Sequence, residues 1–410
     1  MTPGSLAFLG VCSVTLTSRV KLIYRLKFNT MKTKYLSLAM ISLMLCMAAC
    51  KKSDLASLSV NKTLNNNTAT SSSVDVYVAG YVITGGGTTA AYWKNGVLTW
   101  LGDSVSFSRA TGIAVNGVDV YVVGVTSPNN GNESAVVWKN GVATALSPGS
   151  YGSEASCIAL QGNDIYIGGY IYNIASQTAN LTTTNSQPVY WKNGVAAALP
   201  NAAFIDAIAV NGTDVYIAGA AIAANNYSNS SPGSIAAYWK NGGSPVTLGY
   251  PAVYQPNYSS QANAIAISTP DVYAAGITGE YPPEYWKNGA ATPLTNGNVL
   301  NNAYGIAVNG ADVFVVGSTP IYGRVSAATY WKNNVPAILS TGTVAPPNGS
   351  LFSAAYAIAL NGTDVYIAGS VWINASNYEA AYYWKNGTAT QLSNGVSKGA
   401  LASCIAVVPQ

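Results

Sequence analysis

The acidic residues have the greatest capacity for chemistry in this sequence, because the chain of 410 residues contains no histidine. Without histidine it can form neither a histidine-based nucleophile triad nor a histidine metal site. The two cysteines that follow Cys50, Cys157 and Cys404, are too far apart in the sequence to form a two-cysteine zinc motif. Seven of the 15 Asp and Glu residues belong to an internal repeat. Seven others lie in or beside the variable segments between the repeat motifs: Asp103, Glu133, Glu154, Asp206, Glu280, Glu284 and Glu379. Two such carboxyl groups about 5–10 Å apart could cleave a glycosidic bond.

A second group of candidates is aromatic or cationic and lies in the same variable segments, which are rich in Asn, Ser, Thr, Gly and Tyr. Aromatic rings can stack on sugars while amides and hydroxyl groups bind them by hydrogen bonds, so these segments predict a surface for a glycan or protein ligand. The candidate ligand face comprises ten residues: Phe107, Arg109, Tyr151, Glu154, Phe204, Asp206, Tyr258, Tyr304, Arg324 and Phe352. The sequence predicts no cofactor and no metal ligand, and it assigns no residue a catalytic role.

The elements that position these residues come from an internal repeat of about 48 residues that occurs seven times. The first motif, Asp-Val-Tyr-Val-Ala-Gly and its variants, starts at Asp75, Asp119, Asp164, Asp214, Asp271, Asp312 and Asp364. The second motif, Tyr-Trp-Lys-Asn-Gly and its variants, contains Trp93, Trp138, Trp191, Trp239, Trp286, Trp331 and Trp384. A third motif, Ala-Ile-Ala-Val-Asn-Gly, precedes the first motif in every copy except copy one.

Each copy predicts four short β-strands separated by turns. Pairs such as Asn116-Gly117 end the third motif, and pairs such as Asn95-Gly96 end the second motif. Because Asn-Gly favours positive φ at both turn centres, both positions predict tight two-residue hairpins. Units of about 40–50 residues with four antiparallel strands are the blades of β-propellers. The sequence therefore predicts an all-β fold, a seven-bladed β-propeller with four-stranded antiparallel blades.

The two ends of the repeat region predict a closed ring. Copy one starts at Val74 and lacks the strand of the third motif, whereas Ser403–Val408 supplies that strand at the other end of the chain. The C-terminal strand is therefore expected to complete the first blade and close the ring, which removes both free sheet edges.

The most repeated residues are expected to brace the fold. The Asp of the first motif and the Lys of the second begin and end neighbouring strands at one face of the ring, which we call the bottom face. They can form a polar cluster inside each blade, and the Asp can also cap its turn. As an alternative to this structural role, the seven lysines could form a ring that binds the anionic headgroups of lipids. The repeated Tyr and Trp are expected to pack between blades, and Cys157 and Cys404 fill small core positions as free buried thiols.

The N-terminal segment predicts export and a lipid anchor. A basic start, an apolar stretch and Ala48-Ala49 before Cys50 are typical of a lipoprotein signal peptide, so a lipid on Cys50 is the expected membrane partner. An uncleaved membrane anchor is the alternative. The chain from Cys50 onward carries 13 basic and 15 acidic residues, and therefore no nucleic-acid partner is expected.

The expected domains are an upstream extension from a misplaced start codon over residues 1–30, a signal peptide over 31–49, a Ser/Thr/Asn-rich tether over 50–73, and the propeller over 74–410.

The repeat resembles the extracellular repeats of the HAF type and related seven-bladed propeller repeats of secreted bacterial proteins. The likeness is carried by Ala91-Tyr92-Trp93-Lys94-Asn95-Gly96-Val97 through Thr111-Gly112-Ile113-Ala114-Val115 and by their counterparts in each copy. It covers nearly all of residues 74–410, with Ala-Tyr in place of the family's usual His/Ala-Phe before the tryptophan. The resemblance implies an exported propeller without a defined activity.

Together these features predict a monomeric propeller of the outer membrane or cell surface that acts as a non-catalytic module and binds a glycan or protein. The ligand is expected on the face opposite the bottom face, which we call the top face. Two alternatives stay open, a carbohydrate-active enzyme (glycosidase or lyase) that uses top-face carboxylates and a structural or adhesion protein. A pocket with paired carboxylates of raised pKa would favour the enzyme, and a shallow aromatic surface would favour binding.

Overall fold

The computed structural model describes the chain from residue 73 to residue 410 with several gaps. The residues it does not describe in this range are 86, 104, 128–130, 148–151, 173–185, 224–232, 249–258, 279–281, 295–301, 322–324, 341–351, 374–377 and 393–398. The predicted signal peptide, Cys50 and the predicted tether up to residue 72 lie outside the described residues, as do three members of the candidate ligand face: Tyr151, Tyr258 and Arg324.

Twenty-eight β-strands form seven antiparallel sheets of four strands each, which are the blades of the ring. Blade one holds β1 (Val74–Thr84), β2 (Gly87–Lys94), β3 (Val97–Trp100) and the C-terminal β28 (Gly399–Pro409). Blades two and three hold β4 (Phe107–Asn116), β5 (Asp119–Ser127), β6 (Ser134–Lys139), β7 (Val142–Ala145), β8 (Gly152–Gln161), β9 (Asp164–Tyr172), β10 (Ser186–Lys192) and β11 (Val195–Ala198). Blades four and five hold β12 (Ala202–Asn211), β13 (Asp214–Ile222), β14 (Ser234–Lys240), β15 (Val246–Thr247), β16 (Ser260–Ser268), β17 (Asp271–Thr278), β18 (Glu284–Lys287) and β19 (Ala290–Pro293). Blades six and seven hold β20 (Asn302–Asn309), β21 (Asp312–Ile321), β22 (Val325–Lys332), β23 (Val335–Ile338), β24 (Ser353–Asn361), β25 (Asp364–Ile373), β26 (Tyr378–Lys385) and β27 (Thr388–Gln391).

The inner strand of each blade contacts the inner strands of the two neighbouring blades, all the way around the ring. These strands are β28, β4, β8, β12, β16, β20 and β24. The predicted all-β, seven-bladed propeller with four-stranded antiparallel blades is confirmed.

The predicted closure of the ring is also confirmed. The C-terminal strand β28 is the inner strand of blade one and pairs with β1 from Val74 opposite Pro409 to Ile83 opposite Gly399. The first blade is therefore built from both ends of the repeat region, and its inner edge is covered.

The hydrophobic core lies between the blades, because each sheet has two buried faces. The tryptophan of the second motif is no more than 2% exposed in any of the seven copies. In blade one, Trp93 packs in a cluster with Ala368, Ala381 and Leu392 of blade seven. Small and branched apolar residues on the adjoining strands fill the remaining space, which accounts for the many alanines of the repeat.

The two kinds of hairpin have different turn types, and one of these types differs from the one predicted from the sequence. In the turns between the third and fourth strands, Asn95 and Gly96 both have positive φ (51° and 83°), as predicted for a type I′ turn. In the turns between the inner and second strands, only the glycine has positive φ. Gly117 has φ 59°, whereas Asn116 is the last residue of β4 and still pairs with Asp119. Positive φ at the first turn residue alone is the pattern of a type II′ turn. The side chain of Asn116 is thus free to donate to Gly162 O of blade three at 2.8 Å.

The repeated Asp, Lys and Asn form the same polar cluster in each blade at the bottom face, together with a Tyr ring or, in blade six, the ring of Phe314. In blade two, Lys139 Nζ lies 2.7 Å from Asp119 Oδ2 and 5.2 Å from the centre of the Tyr121 ring. Asn140 donates to Asp119 Oδ1 at 2.8 Å and accepts from the backbone N–H of Val120. The Lys–Asp distance is 2.6–3.0 Å in all seven copies. Every lysine of the described residues is used in this way, as a brace between neighbouring strands.

None of the residues that the structure describes forms a helix long and apolar enough to cross a membrane. Cys157 and Cys404 are both free, and burial raises the pKa of each thiol.

Candidate functional site

Each inner strand contains a β-bulge at the same position of the repeat, and β12 contains a second bulge at Ala203. In blade two the register with β5 shifts between Ala110 and Gly112, which leaves Thr111 as the extra residue. A β-bulge re-aims a side chain and is often found next to functional sites. The extra residues at this shared position, which we call the channel ring, are Thr111, Ser156, Asp206, Asn263, Tyr304, Tyr356 and Ser403.

The glycine that closes the first motif makes room for the bulge. A Cβ atom on Gly124 would lie 2.0 Å from the carbonyl oxygen of Arg109, two residues before the bulge. The same contact would be 1.8–2.1 Å in the other six blades. No side chain fits at that distance from a backbone atom, so the repeated glycine follows from the repeated bulge.

The channel ring lines a central channel with a volume of about 330 Å³. Its residues link neighbouring blades: Thr111 Oγ1 donates to Ala155 O at 2.6 Å, and Ser403 Oγ donates to Ala110 O at 3.0 Å. All seven side chains carry an oxygen or an amide, although the residues beside them in each strand are small or apolar. The channel wall is therefore polar at this one level and apolar below it.

Asp206 is the only carboxyl group of the channel ring. It is partly buried, and Gln261 Nε2 of blade five donates to its Oδ2 at 2.8 Å. Loss of solvent raises the pKa of Asp206 to about 6, and the hydrogen bond from Gln261 offsets part of this rise. An aspartic acid with this pKa can give and take a proton near neutral pH.

A second carboxyl group, Glu154, lies at the top of the neighbouring inner strand. It is two residues above Ser156 of the channel ring, and Arg109 of blade two binds it with 2.6 Å between Nη2 and Oε1. The Nε atom of Arg109 is buried and has no hydrogen-bond partner among the described residues. Blades two to four thus bring an ion pair and a protonatable carboxyl group to one side of the channel mouth.

Glu379 of blade seven lies on the other side of the ring from blade four. Ser370 Oγ is 3.5 Å from Glu379 Oε1 and 3.5 Å from the hydroxyl of Tyr356. Desolvation raises the pKa of Glu379, and burial, assisted by this carboxylate, raises the pKa of Tyr356 to about 12. The rings of Tyr356 and Tyr304 lie 5.4 Å apart, so two aromatic side chains form the wall between blades six and seven.

The seven described members of the candidate ligand face do not form one surface. Asp206 and Tyr304 belong to the channel ring, and Arg109, Glu154 and Phe204 lie two residues above ring positions. Phe107 and Phe352 are farther from the ring, at or just before the start of their inner strands.

Sequence reasoning missed the channel ring as a unit. It identified Asp206 and Tyr304 but not their common position, and it did not select Gln261, Ser370 or Tyr356 for the ligand face. The available signal was one variable polar residue within an otherwise uniform string, as in Ala-Thr-Gly-Ile-Ala and Ala-Tyr-Gly-Ile-Ala. Within the described ranges, no group of three or more Cys, Asp or Glu side chains could hold a metal ion.

No protein-family model matches the chain, and no curated protein is similar to it in sequence. A puromycin-hydrolysing peptidase from Mycobacterium tuberculosis is similar in structure, with a TM-score of 0.50 and 12% identity over 79% of this chain and 52% of the peptidase. The chain therefore spans about half the length of that protein. A glycosyl hydrolase from Bacteroides ovatus has a TM-score of 0.29 and 10% identity over 61% of this chain and 82% of its own. An exo-1,5-α-L-arabinanase from a bovine ruminal metagenomic library has a TM-score of 0.32 and 7% identity over 70% of this chain and 98% of its own. At these identities the peptidase likeness shows the fold alone.

The prediction that the propeller is a non-catalytic binding module, and therefore not an enzyme, is wrong. The peptidase named above, whose structure is similar to this chain at a TM-score of 0.50, is an enzyme. The described part of the top face also differs from the shallow aromatic surface expected of a binding module. It opens into a channel whose wall and mouth carry carboxyl groups of raised pKa, which is the arrangement expected of an enzyme.

Proposed function

We propose that the propeller is a carbohydrate-active enzyme, a glycosidase, with its active site at the top of the central channel. The observation that carries this proposal is Asp206, a carboxyl group in the channel wall with a pKa of about 6, in the blade that follows the two blades of the Arg109–Glu154 pair. Glycosidases need one protonated and one ionised carboxyl group around the scissile bond. Since the chain contains no histidine, carboxyl groups are its best-suited proton donors near neutral pH.

The roles of the two carboxyl groups follow from their surroundings. Asp206 is neutral below about pH 6 and would give its proton to the glycosidic oxygen as the bond from that oxygen to the anomeric carbon breaks. Glu154, paired with a guanidinium group, would stabilise the positive charge that develops on the sugar. Water then adds to the anomeric carbon and returns a proton to Asp206, so that one water is consumed and the enzyme is restored.

The test is hydrolysis of a panel of 4-nitrophenyl glycosides and of plant and bacterial polysaccharides, followed by release of nitrophenol or reducing ends. We expect the wild-type protein to act on at least one substrate and Asp206→Asn to lose about 100-fold or more of kcat/KM. The Glu154→Gln variant should lose activity in the same assay.

Asp103→Asn is the matched control for this assay. Asp103 is exposed, and it accepts hydrogen bonds from the backbone N–H groups of Val105 and Ser106, which an asparagine oxygen can also do. This variant should keep wild-type activity. Full activity in Asp206→Asn, or binding of the glycans without any hydrolysis, would refute the proposal.

The sequence also supports proposals about the family and location of the protein. The Tyr-Trp-Lys-Asn-Gly motifs support an assignment to the HAF-type repeats, and the residues up to Cys50 support an exported protein anchored by lipid at the outer membrane or cell surface. A polysaccharide substrate would be accessible from either place.

A further inference from the structure

The channel ring has two unlike halves. Blades one, two and three contribute small hydroxyl side chains: Ser403, Thr111 and Ser156. Blades five, six and seven contribute larger side chains: Asn263, Tyr304 and Tyr356. Asp206 of blade four stands between the two halves. Since blade three lies across a seven-membered ring from blades six and seven, Ser156 faces the tyrosine pair over the channel.

This asymmetry leaves space beside the tyrosines and places an acid at one end of that space. A sugar ring stacks on an aromatic face and accepts hydrogen bonds along its edge. The tyrosine pair offers such a face, the hydroxyl side chains oppose it, and Asp206 lies between them.

The channel is enclosed on all sides by inner strands, because each one contacts both of its neighbours. Its volume of about 330 Å³ is near the lower end of the range for small-molecule sites, about 300–1,000 Å³. A long polymer cannot lie across a site with a closed wall, whereas a chain end can enter it along the axis. The geometry therefore admits only a terminal sugar to the level of Asp206.

The charges around the channel define the ligand further. Among the described residues, the channel and its mouth contain the carboxyl groups of Asp206, Glu154 and Glu379 and a single cation, Arg109, which is already paired. The lysines of the described residues all pair with aspartates at the bottom face. An acidic sugar would therefore meet net negative charge.

We propose that the channel binds the terminal sugar of an uncharged glycan end-on, between the tyrosine pair and the hydroxyl half of the channel ring, so that the enzyme is exo-acting. This inference rests on the proposed glycosidase function. It adds the direction of entry, the mode of cleavage and the charge class of the substrate.

Product analysis tests the mode of cleavage. Hexasaccharides of arabinan, xylan and mannan, labelled at the reducing end, would be incubated with the full chain and compared with the acidic oligosaccharides of polygalacturonate. We expect stepwise shortening by one terminal unit from the first time points and little action on the acidic series. Internal cleavage into mid-length products, hydrolysis of a cyclic oligosaccharide or a preference for the acidic series would overturn the inference while the glycosidase proposal stands. No hydrolysis of any probe would contradict both.

Ser156→Tyr tests the site of entry. Tyrosine already occupies the equivalent ring position as Tyr304 and Tyr356, so the bulge accepts it, and at position 156 it would fill the open half of the channel. We expect at least about 100-fold loss of kcat/KM with an unchanged melting temperature. Thr144→Tyr, on the exposed outer strand β7, is the matched control and should keep wild-type activity. Full activity in a folded Ser156→Tyr protein would show that the substrate does not enter the channel.

Discussion

Glu284 is a carboxyl group that blade five buries without a hydrogen-bond partner among the described residues. The residue is 2% exposed, and it pairs in register with Gly276. None of the other blades carries a carboxyl group at this position, and several carry a small apolar residue, such as Ala91 and Ala237, so the fold itself does not need a carboxyl group there. Desolvation raises the pKa of Glu284 from its ordinary 4.5 to about 7, although the nearby Thr278 offsets part of the rise.

The rise in pKa has a direct consequence for stability. The folded protein holds the Glu284 proton up to about pH 7, whereas the unfolded chain releases it near pH 4.5. The stability that the neutral form provides is therefore complete below about pH 4.5 and is lost as the pH increases through about 7. Since each pKa unit corresponds to about 1.4 kcal/mol, the loss amounts to about 3 kcal/mol.

The perturbation that exposes this effect is Glu284→Gln, which keeps the shape of the side chain and removes the titration. We would measure the free energy of unfolding in urea at intervals between about pH 4 and about pH 8. Relative to the wild-type protein, the variant should gain about 3 kcal/mol across this range. Glu133→Gln, at an exposed position, is the control and should follow the wild-type curve. If the free energy of unfolding changed with pH in the same way in Glu284→Gln and in the wild-type protein, the raised pKa of Glu284 would be contradicted.

Two further predictions test how the ring is built. Gly124→Ala would place a Cβ atom 2.0 Å from the carbonyl oxygen of Arg109, so it should lower the free energy of unfolding by about 3 kcal/mol. The control Gly85→Ala adds a Cβ atom that meets nothing within 4 Å, so it should leave the free energy of unfolding unchanged. Equal stability of the two variants in urea would contradict the link between the glycine and the bulge. Deletion of residues 403–410 removes most of β28 and leaves the inner edge of β1 unpaired. The melting temperature, followed by circular dichroism, should therefore fall by roughly 10 °C or more. An unchanged melting temperature would exclude closure of the ring by this strand.

The architecture could be predicted from the sequence because it is repeated. Seven copies of one strand pattern, Asn-Gly turns and a strand displaced from the first copy to the last are local signals that reinforce each other. The turn after the inner strand was predicted wrongly because Asn-Gly was placed at the turn centre, whereas Asn116 remains in the strand and Gly117 begins the turn.

The candidate site could be predicted only in part. Asp206, Glu154 and Arg109 stand out by residue type, but their arrangement depends on a bulge in the inner strand. A bulge changes which side of the strand the next residues face, and alternation in a sequence does not reveal such a shift when the neighbours are alanines and glycines. The raised pKa of Asp206 depends on desolvation by neighbouring blades, which no local pattern contains.

The pH dependence of kcat/KM tests the role of Asp206 most directly. If Asp206 is the proton donor, activity falls as the pH rises through about 6. Replacing Gln261 with leucine removes the hydrogen bond that lowers the pKa of Asp206, so in Gln261→Leu the same fall in activity should move to higher pH. The assignment of the channel as the active site would be contradicted if kcat/KM did not fall near pH 6, or if the fall occurred at the same pH in Gln261→Leu as in the wild-type protein.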